Sequence, residues 1–326
     1  MRTRLLLLLA LLLCAGCGGP SENASPDEPA TLLLDFTPNA VHSGIYVASD
    51  RGFDTAEGVQ LQIRKPSAST DALKLLQSGG ADMAILDIHD LGLAREKGLD
   101  LVGVMALVQS PLAAVLAEPS IRTPKDLQGK RAGVTGLPSD QAVLRSVVQG
   151  AGGDPAEVKE TTIGFEAVKA LLARRVAAAT AFWDVDGVAL KAKRPAIREF
   201  RVDDYGAPAY PELVLTVTRR TLQEKPEVIR ATIRALQRGY GDVQDDPESA
   251  VSTMVKREPD LDSAALAAQL DAVAPEFTAG AEEFGQLRPP VLKAWAAWDL
   301  KFGILHKPLD VRRAFDTTLV EKPPSC

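Results

Sequence analysis

Cysteine, histidine and aromatic residues are all scarce in this chain of 326 residues. It contains three cysteines, three histidines, three tryptophans, four tyrosines and nine phenylalanines. So few cysteines exclude a disulfide framework, and no CxxC pair or thiol cluster suited to zinc is present. Because aromatic side chains are rare, each one that falls in a polar loop needs an explanation.

Motifs that would identify an enzyme are also missing. The sequence has no P-loop, no G-x-G-x-x-G after a strand, no H-E-x-x-H helix and no G-x-S-x-G elbow. His42, His89 and His306 lie far apart, and their spacing alone leaves a Ser-His-Asp site open. The net charge of -6 argues against a nucleic-acid-binding protein, which normally presents a basic face. We therefore predict no catalytic residue, no metal, no cofactor and no nucleic-acid partner.

Composition and length describe a globular protein of about two domains. Apolar residues make up 46% and charged residues 25% of the chain, which excludes wholesale disorder, collagen and coiled coil. At roughly 150 residues per domain, each domain can bury a core of its own.

The start of the chain has the pattern of an export signal. Two arginines precede an unbroken apolar run over residues 5–13, which is too short to cross the roughly 30 Å hydrocarbon core of a membrane. We predict a signal peptide over residues 1–17, followed by a polar, flexible tether over residues 18–30. The Ala-Gly-Cys ending resembles a bacterial lipoprotein cleavage site, with Cys17 lipidated and the protein anchored to the outer face of the cytoplasmic membrane. Ordinary secretion with cleavage nearby is the alternative.

The rest of the chain alternates short apolar or β-branched runs with segments of helical periodicity, a pattern typical of βαβ units. Strands are predicted at 31–36, 59–64, 82–86, 101–107, 112–117, 131–135, 158–163, 178–182, 198–202 and 212–218. Helices are predicted at 42–50, 70–78, 88–97, 139–149, 165–174, 184–193, 226–243, 247–256, 262–274 and 289–302.

These elements predict an α/β protein with two mixed, mostly parallel sheets flanked by helices. The final helices have no sheet of their own, so we expect them to return to the first sheet. The expected lobes are residues 31–115 plus 215–326, and residues 116–214, joined by crossing strands near 112–117 and 212–218. Ligands in such sheets bind beyond the carboxyl ends of the strands, which places the site in the cleft between the lobes.

Polar and aromatic side chains gather where predicted strands pass into helices. Aromatic rings with a carboxylate or amide beside them suit a planar heterocycle that forms hydrogen bonds. Core packing is the alternative for Phe36 and Phe182, and a role in the turn is the alternative for Asn39. Trp183 is followed directly by acids, so we expect it to face the cleft. Asp87, His89 and Asp90 could form a metal cluster, but a helix N-cap with solvated acids is the favoured interpretation.

Residues 34–52, LDFTPNAVHSGIYVASDRG, resemble the opening signature of ABC-transporter solute-binding proteins for thiamine pyrimidine precursors. The resemblance continues through the turns at 78–82 and 125–130 and through residues 203–215, and it covers about residues 31–275. The turns alone are also found in binders of sulfonate, taurine and nitrate. The family is related to fungal hydroxymethylpyrimidine phosphate synthases.

The resemblance implies a two-lobed periplasmic-binding-protein fold of the second type, with no enzymatic activity. It implies a monomer that captures a hydroxymethylpyrimidine or a formylaminopyrimidine by hinge closure and delivers it to a membrane permease driven by an ATPase. The ligand-binding residues expected for stacking are Phe36, Trp183 and Tyr205. Those expected for hydrogen bonds to the ring edge are Asn39, His42, Asp87, Ser139, Asp184 and Asp186.

Three other functions remain open at the level of the sequence. One is binding of riboflavin or another heterocycle, and a second is binding of an alkanesulfonate or nitrate, although the expected site has acids and no arginine. The third is the synthase reaction, for which the resemblance implies pyridoxal phosphate, an internal histidine and a cysteine-rich iron-binding motif. That motif is missing from this sequence, and no lysine stands just before His89 on the predicted strand.

Overall fold

The structure, a computed structural model, describes residues 27–67 and 71–320. The predicted signal peptide, Cys17 and most of the predicted tether lie outside the described residues. The last part of the tether does not: its residues 28–30 already belong to the first strand.

The described residues form two five-stranded sheets. Sheet A has the strand order β2-β1-β3-β10-β4, and sheet B has the order β7-β6-β8-β5-β9. Their bounds are β1 (Glu28–Leu33), β2 (Val59–Arg64), β3 (Met83–Asp87), β4 (Leu101–Ala106), β5 (Ala113–Ala117), β6 (Arg131–Val134), β7 (Lys159–Thr162), β8 (Ala178–Phe182), β9 (Arg198–Arg201) and β10 (Leu213–Thr218).

Both sheets are mixed, as predicted. Strand β10 runs antiparallel to β3 and β4, and β5 runs antiparallel to β8 and β9, whereas the remaining pairs are parallel. Strands β4 and β5 are apolar along their whole length and buried at every position, as expected for strands covered on both faces. The first strand was predicted at 31–36 but spans Glu28–Leu33, because its first three residues pair with the start of β2.

Helices cover both sheets and then continue alone to the end of the chain. Their bounds are α1 (Ser43–Asp50), α2 (Phe53–Ala56), α3 (Asp71–Ser78), α4 (Ile88–Glu96), α5 (Pro138–Gly150), α6 (Ala167–Leu172), α7 (Val188–Lys193), α8 (Arg219–Glu224), α9 (Pro226–Asp245), α10 (Pro247–Arg257), α11 (Ser263–Val273), α12 (Pro289–Phe302) and α13 (Val311–Ala314). The helix predicted at 184–193 begins instead with a π-helical turn, Trp183–Gly187. The short helices α2, α8 and α13 were not predicted. No helix in the described ranges combines the length and apolar character that a membrane crossing needs.

Helix α9 of the helical tail packs against α1. It lies so close that a Cβ atom on Gly239 would collide with the backbone carbonyl of Gly44, so glycine is required where the two helices touch. At the next residue, the Tyr240 hydroxyl donates a hydrogen bond to the Val41 carbonyl (2.5 Å), and its ring stacks on Phe284 with centroids 4.0 Å apart.

Two connecting segments, residues 107–112 and 202–212, carry the chain between the sheets. Glu212 belongs to the second segment and is fully buried. One of its carboxylate oxygens accepts hydrogen bonds from the backbone N–H groups of Leu112 (2.6 Å) and Ala113 (3.0 Å). A single side chain thus joins the two places where the chain crosses.

Candidate functional site

A cavity of about 100 Å³ lies between the two sheets, at the carboxyl ends of their parallel strands. This is the position at which α/β sheets place ligands. Its lining combines apolar groups with several acids and three phenylalanines. The polar and aromatic residues of the lining are Asp35, Phe36, Asp87, Asp90, Thr135, Ser139, Asp140, Phe165, Thr180, Phe182 and Asp186.

Two phenylalanines meet across the cavity. Phe36 follows β1, and Phe165 lies in the loop between β7 and α6. Their rings form an edge-to-face pair with centroids 4.6 Å apart and an interplanar angle of 87°. Phe165 is 41% exposed, which is unusual for so large an apolar side chain. This pair connects the two halves of the protein and presents ring surface to a bound molecule.

Asp35 lies beside Phe36 and is held by a buried histidine. Its Oδ1 is 2.8 Å from Nε2 of His42, which is fully buried. The other ring nitrogen of His42 accepts a hydrogen bond from the Asn39 backbone N–H (3.2 Å). When Nδ1 accepts, the N–H of a neutral imidazole is on Nε2 and points at Asp35. His42 therefore fixes the orientation of the Asp35 carboxylate and does not itself line the cavity.

Asn39 is also placed behind the cavity rather than in it. Its side-chain oxygen accepts a hydrogen bond from Val41 N–H (2.9 Å), and its amide nitrogen donates to the Thr37 carbonyl (3.1 Å). These are the contacts of a helix N-cap. The expected ring-edge contact from Asn39 is therefore corrected to a role in the turn, which the sequence had left as the alternative.

Two acids at the start of α4 do line the cavity. Asp87 is the N-cap of α4 and accepts a hydrogen bond from the His89 backbone N–H at 2.7 Å. Asp90 lies in the first turn and approaches Ser139 of the opposite half, with 3.5 Å between Oδ1 and Oγ. The predicted N-cap is confirmed, and both side chains are partly exposed and face the cavity.

His89 itself points away from the cavity into a buried polar cluster. Its Nδ1 lies 2.9 Å from Asp299 Oδ2, and its Nε2 lies 3.2 Å from the Tyr210 hydroxyl. Burial lowers the pKa of His89, but the nearby carboxylates of Asp299 and Asp87 outweigh that effect and raise it to about 10. Nδ1 also accepts a hydrogen bond from the Trp295 indole N–H (3.0 Å), so the ring is held by three side chains in a fully buried cluster.

The same cluster contains a group of residues with the composition of a metal site. Within the described ranges, Asp87, His89 and Glu212 offer ligand atoms that all lie within 4.8 Å of one another. A metal needs a neutral imidazole with a free lone pair. Both ring nitrogens of His89 are engaged, Nδ1 by Asp299 and Trp295 and Nε2 by Tyr210. Glu212 already accepts two backbone N–H groups. These residues form a hydrogen-bonded network and do not suit a metal ion.

Sheet B contributes a second set of acids. At the start of α5, Ser139 and Asp140 face the cavity, and Asp140 Oδ2 accepts a hydrogen bond from the Thr135 backbone N–H at 2.8 Å. After β8, Phe182 and Asp186 face the cavity as well. Burial raises the pKa of Asp186 to about 6, and the charge of Asp140 adds to the effect. Burial likewise raises the pKa of Asp90, and nearby His89 lowers it by a smaller amount, so that the pKa is about 6.

Trp183, which the sequence placed in the cleft, is a core residue. It is 3% exposed, its indole N–H donates to the Pro111 carbonyl (3.0 Å), and the Arg201 guanidinium lies 3.8 Å from the ring centroid. Trp183 is the first residue of the π-helical turn that follows β8. Its backbone N–H donates to the Leu112 carbonyl (3.0 Å), so backbone and side chain are both held by the connecting segment and not by the cavity.

Two further expected contacts are also corrected. Asp184 is fully buried outside the cavity lining, and neither of its carboxylate oxygens has a hydrogen-bond partner on another described residue. Burial, with Asp186, Glu212 and Asp35 nearby, raises its pKa to about 8. Tyr205 lies beyond the cavity, edge-to-face with Phe200 at 6.1 Å.

Of the nine predicted residues, the cavity thus brings together four, which are Phe36, Asp87, Ser139 and Asp186. It adds Asp35, Asp90, Asp140 and Phe165, which were not expected to bind the ligand. A signal for each was present in the sequence. Asp35 lies near the end of a predicted strand, Asp90 and Asp140 lie in the first turn of predicted helices, and Phe165 is a rare aromatic residue at the start of one.

Comparisons with known proteins identify similar sequences. A family model described as NMT1/THI5 like matches residues 39–250. The formylaminopyrimidine-binding protein of Halalkalibacterium halodurans is 35% identical over 255 residues, covering 76% of this chain and 77% of that protein. The 4-amino-5-hydroxymethyl-2-methylpyrimidine phosphate synthase of Legionella pneumophila is 26% identical, covering 71% of this chain and 74% of that protein.

A solved structure identifies the fold. The alkanesulfonate-binding protein SsuA from Xanthomonas axonopodis pv. citri, bound to MOPS, superposes with a TM-score of 0.71 at 19% identity. The match covers 90% of this chain and 99% of that structure. The predicted periplasmic-binding-protein fold, with two mixed sheets flanked by helices, is therefore confirmed.

Proposed function

Because the chain belongs to the NMT1/THI5-like family, we propose that it is the solute-binding protein of an ABC importer and captures a thiamine pyrimidine precursor. The favoured ligand is a formylaminopyrimidine or the corresponding hydroxymethylpyrimidine. The observation that carries this proposal is 35% identity to a formylaminopyrimidine-binding protein over three quarters of both chains. The aromatic and acidic lining of the cavity agrees with it.

The volume of the cavity favours one ring over three. At about 100 Å³ it is somewhat smaller than the engineered cavity of about 150 Å³ that binds benzene. A substituted pyrimidine would therefore need the two halves to move apart a little, and the three fused rings of a flavin would need considerably more room.

The lining suits the edge and the faces of an aminopyrimidine. Phe36 and Phe165 offer ring surface, and the carboxyl groups can accept hydrogen bonds from an exocyclic amino group. The contacts we propose are Phe36, Asp87, Ser139 and Asp186 from the predicted set, together with Asp35, Asp90, Asp140 and Phe165. Among the described lining residues no Lys, Arg or His is present, so a sulfonate or nitrate would find no counter-charge.

The synthase function is not favoured by the structure, although a synthase is among the relatives. A histidine that is consumed in a reaction must reach the substrate. His89 is fully buried, and both of its ring nitrogens are engaged by Asp299 and Tyr210. The sequence has three cysteines in all, which leaves no cysteine-rich motif for iron.

Capture would proceed by closure of two lobes. We assign residues 31–115 plus 215–326 to one lobe and residues 116–214 to the other, with the connecting segments as the hinge. The contacts Phe36–Phe165 and Asp90–Ser139 join the lobes across the cavity and would form as the ligand is enclosed. The closed protein would then dock as a monomer on a permease whose transport is driven by an ATPase.

Lipid anchoring at Cys17 completes the proposal and has its own test. An exported protein tethered to the outer face of the cytoplasmic membrane would remain near its permease. Metabolic labelling with a fatty acid should label the wild-type protein and Cys14→Ala but not Cys17→Ala. Equal labelling of both variants would contradict the anchor and leave the ligand proposal intact.

Titration calorimetry tests the ligand. We expect a dissociation constant of about micromolar or tighter for formylaminopyrimidine and no heat with an alkanesulfonate. Phe36→Ala should weaken binding about two- to tenfold, the value of one aromatic contact. Phe53→Ala removes another half-buried phenylalanine, one that lies under Arg238, and should leave binding unchanged. Binding of riboflavin or a sulfonate in place of every pyrimidine would overturn the proposal.

A further inference from the structure

The cavity is lined by acids that have no basic partner within it. Five aspartates, Asp35, Asp87, Asp90, Asp140 and Asp186, contribute to its surface. No Lys, Arg or His belongs to the described part of the lining. A neutral ligand would leave these charges enclosed without a counter-ion, which is a costly arrangement in an environment shielded from water.

Three of the five acids accept a hydrogen bond from a group outside the cavity lining or from the backbone. His42 donates to Asp35, the His89 backbone N–H donates to Asp87, and the Thr135 backbone N–H donates to Asp140. These contacts come from the loop after β1, from α4 and from the loop after β6, respectively.

The remaining two acids, Asp90 and Asp186, lie on opposite halves of the protein. Asp90 has the Ser139 hydroxyl at 3.5 Å, with Lys97 at the end of α4 as a more distant cation. Asp140 raises the pKa of both Asp90 and Asp186, so the three groups lie within electrostatic reach of one another. With pKa values of about 6, Asp90 and Asp186 are largely ionised at neutral pH. The enclosed surface is therefore negative where the ligand must fit.

We propose that the cavity takes its ligand as a cation: the bound aminopyrimidine is protonated on a ring nitrogen, and this N–H pairs with the carboxylates of Asp90 and Asp186. The inference rests on the proposed function and specifies the charge of the ligand. The ring-nitrogen lone pair accepts a proton from a buffer acid, and no other bond is made or broken. The resulting N–H brings to these carboxylates the positive charge that the described lining does not supply.

Nitrogen NMR tests the protonation state directly. Formylaminopyrimidine labelled with ¹⁵N in the ring is added to the wild-type protein at pH 8, where the free ligand is neutral. We expect one ring-nitrogen resonance of the bound ligand to move strongly upfield and to show a one-bond coupling to hydrogen. A bound resonance without the shift and the coupling would overturn the inference while leaving the proposed function standing. Absence of any bound resonance, together with no calorimetric heat, would overturn the proposed function instead.

Variants and an analogue provide a second, independent measurement. Asp186→Asn keeps the shape of the side chain but removes the charge, and it should weaken binding at pH 8 by about tenfold to a hundredfold. Asp271→Asn, an exposed position on α11, is the matched control and should bind normally. An analogue with C–H in place of the basic ring nitrogen should bind the wild type weakly. Its affinity for Asp186→Asn should be the same as its affinity for the wild type. Equal affinity of the wild type for ligand and analogue would also overturn the inference.

Discussion

Asp184 provides the sharpest test of the energetics, because its burial should make stability depend on pH in a defined way. The side chain is fully buried, and its oxygens find no partner on another described residue. Burial raises its pKa in the folded protein to about 8, whereas in the unfolded chain an aspartate titrates near 3.9. Between these two values the folded state holds a proton that the unfolded state releases, so stability falls as the pH rises.

The magnitude follows from the distance between the two pKa values. Each pH unit between the two pKa values lowers the free energy of unfolding by about 1.36 kcal/mol. Asp184 should therefore lower it by about 4 kcal/mol at pH 7 and by about 1.5 kcal/mol at pH 5. Asp184→Asn removes the titration and retains the shape. As the pH rises from 5 to 7, the free energy of unfolding of the wild type should therefore fall by about 3 kcal/mol relative to that of the variant. A packing cost of the substitution would be the same at every pH and would not change this difference.

Urea unfolding followed by tryptophan fluorescence at pH 5, 6 and 7 measures this gain. Asp271→Asn, on the exposed side of α11, should track the wild type at all three values. A difference between wild type and Asp184→Asn that stays constant from pH 5 to pH 7 would refute the reasoning. It would mean that Asp184 is ionised in the folded protein and has found a partner.

Three further predictions concern contacts described above. A double-mutant cycle between Phe36 and Phe165 should give a coupling of about 0.5–1.5 kcal/mol in ligand binding, measured by calorimetry. Gly239→Ala should destabilise the protein by about 1–3 kcal/mol in urea unfolding because of its contact with α1, whereas Gly241→Ala, with open space around it, should stabilise it by about 0.5–1 kcal/mol. Glu212→Ala should cost about 1–3 kcal/mol for each backbone N–H left without an acceptor, also measured in urea.

Each of these predictions has a result that contradicts it. Additive effects of the two phenylalanine substitutions would show that the rings do not act together on the ligand. Equal effects of the two glycine substitutions would mean that helix propensity, and not the contact between α9 and α1, decides stability. Unchanged stability of Glu212→Ala would show that water satisfies the N–H groups of the connecting segment.

The sequence was sufficient for the order of the elements, because strands buried on both faces are apolar runs bounded by turns. It could not give the direction of every strand. That β10 runs antiparallel between β3 and β4 depends on the returning chain, and no local pattern encodes it. The same holds for the three short helices, each of which is too brief to show periodicity.

In the site, the rule that ligands lie beyond strand ends pointed to two residues that line the cavity, Phe36 and Asp87, and to one that does not, Trp183. The difference at Trp183 has a simple geometric cause. The chain enters a π-helical turn at this residue, and the sequence Phe182-Trp183 does not reveal which of the two rings faces the cavity. Burial and hydrogen bonding decide it, because the Trp183 indole N–H is satisfied by a backbone carbonyl that is remote in sequence.

The Glu212 side chain has a consequence for how the protein can move. It belongs to one connecting segment and holds the backbone of the other, so the two segments cannot slide past each other while these hydrogen bonds persist. Relative motion of the halves is then restricted to rotation about an axis through this carboxylate. Such a pivot would convert a small change at the cavity into a large displacement at the far rims of the two halves, where a second protein could sense it.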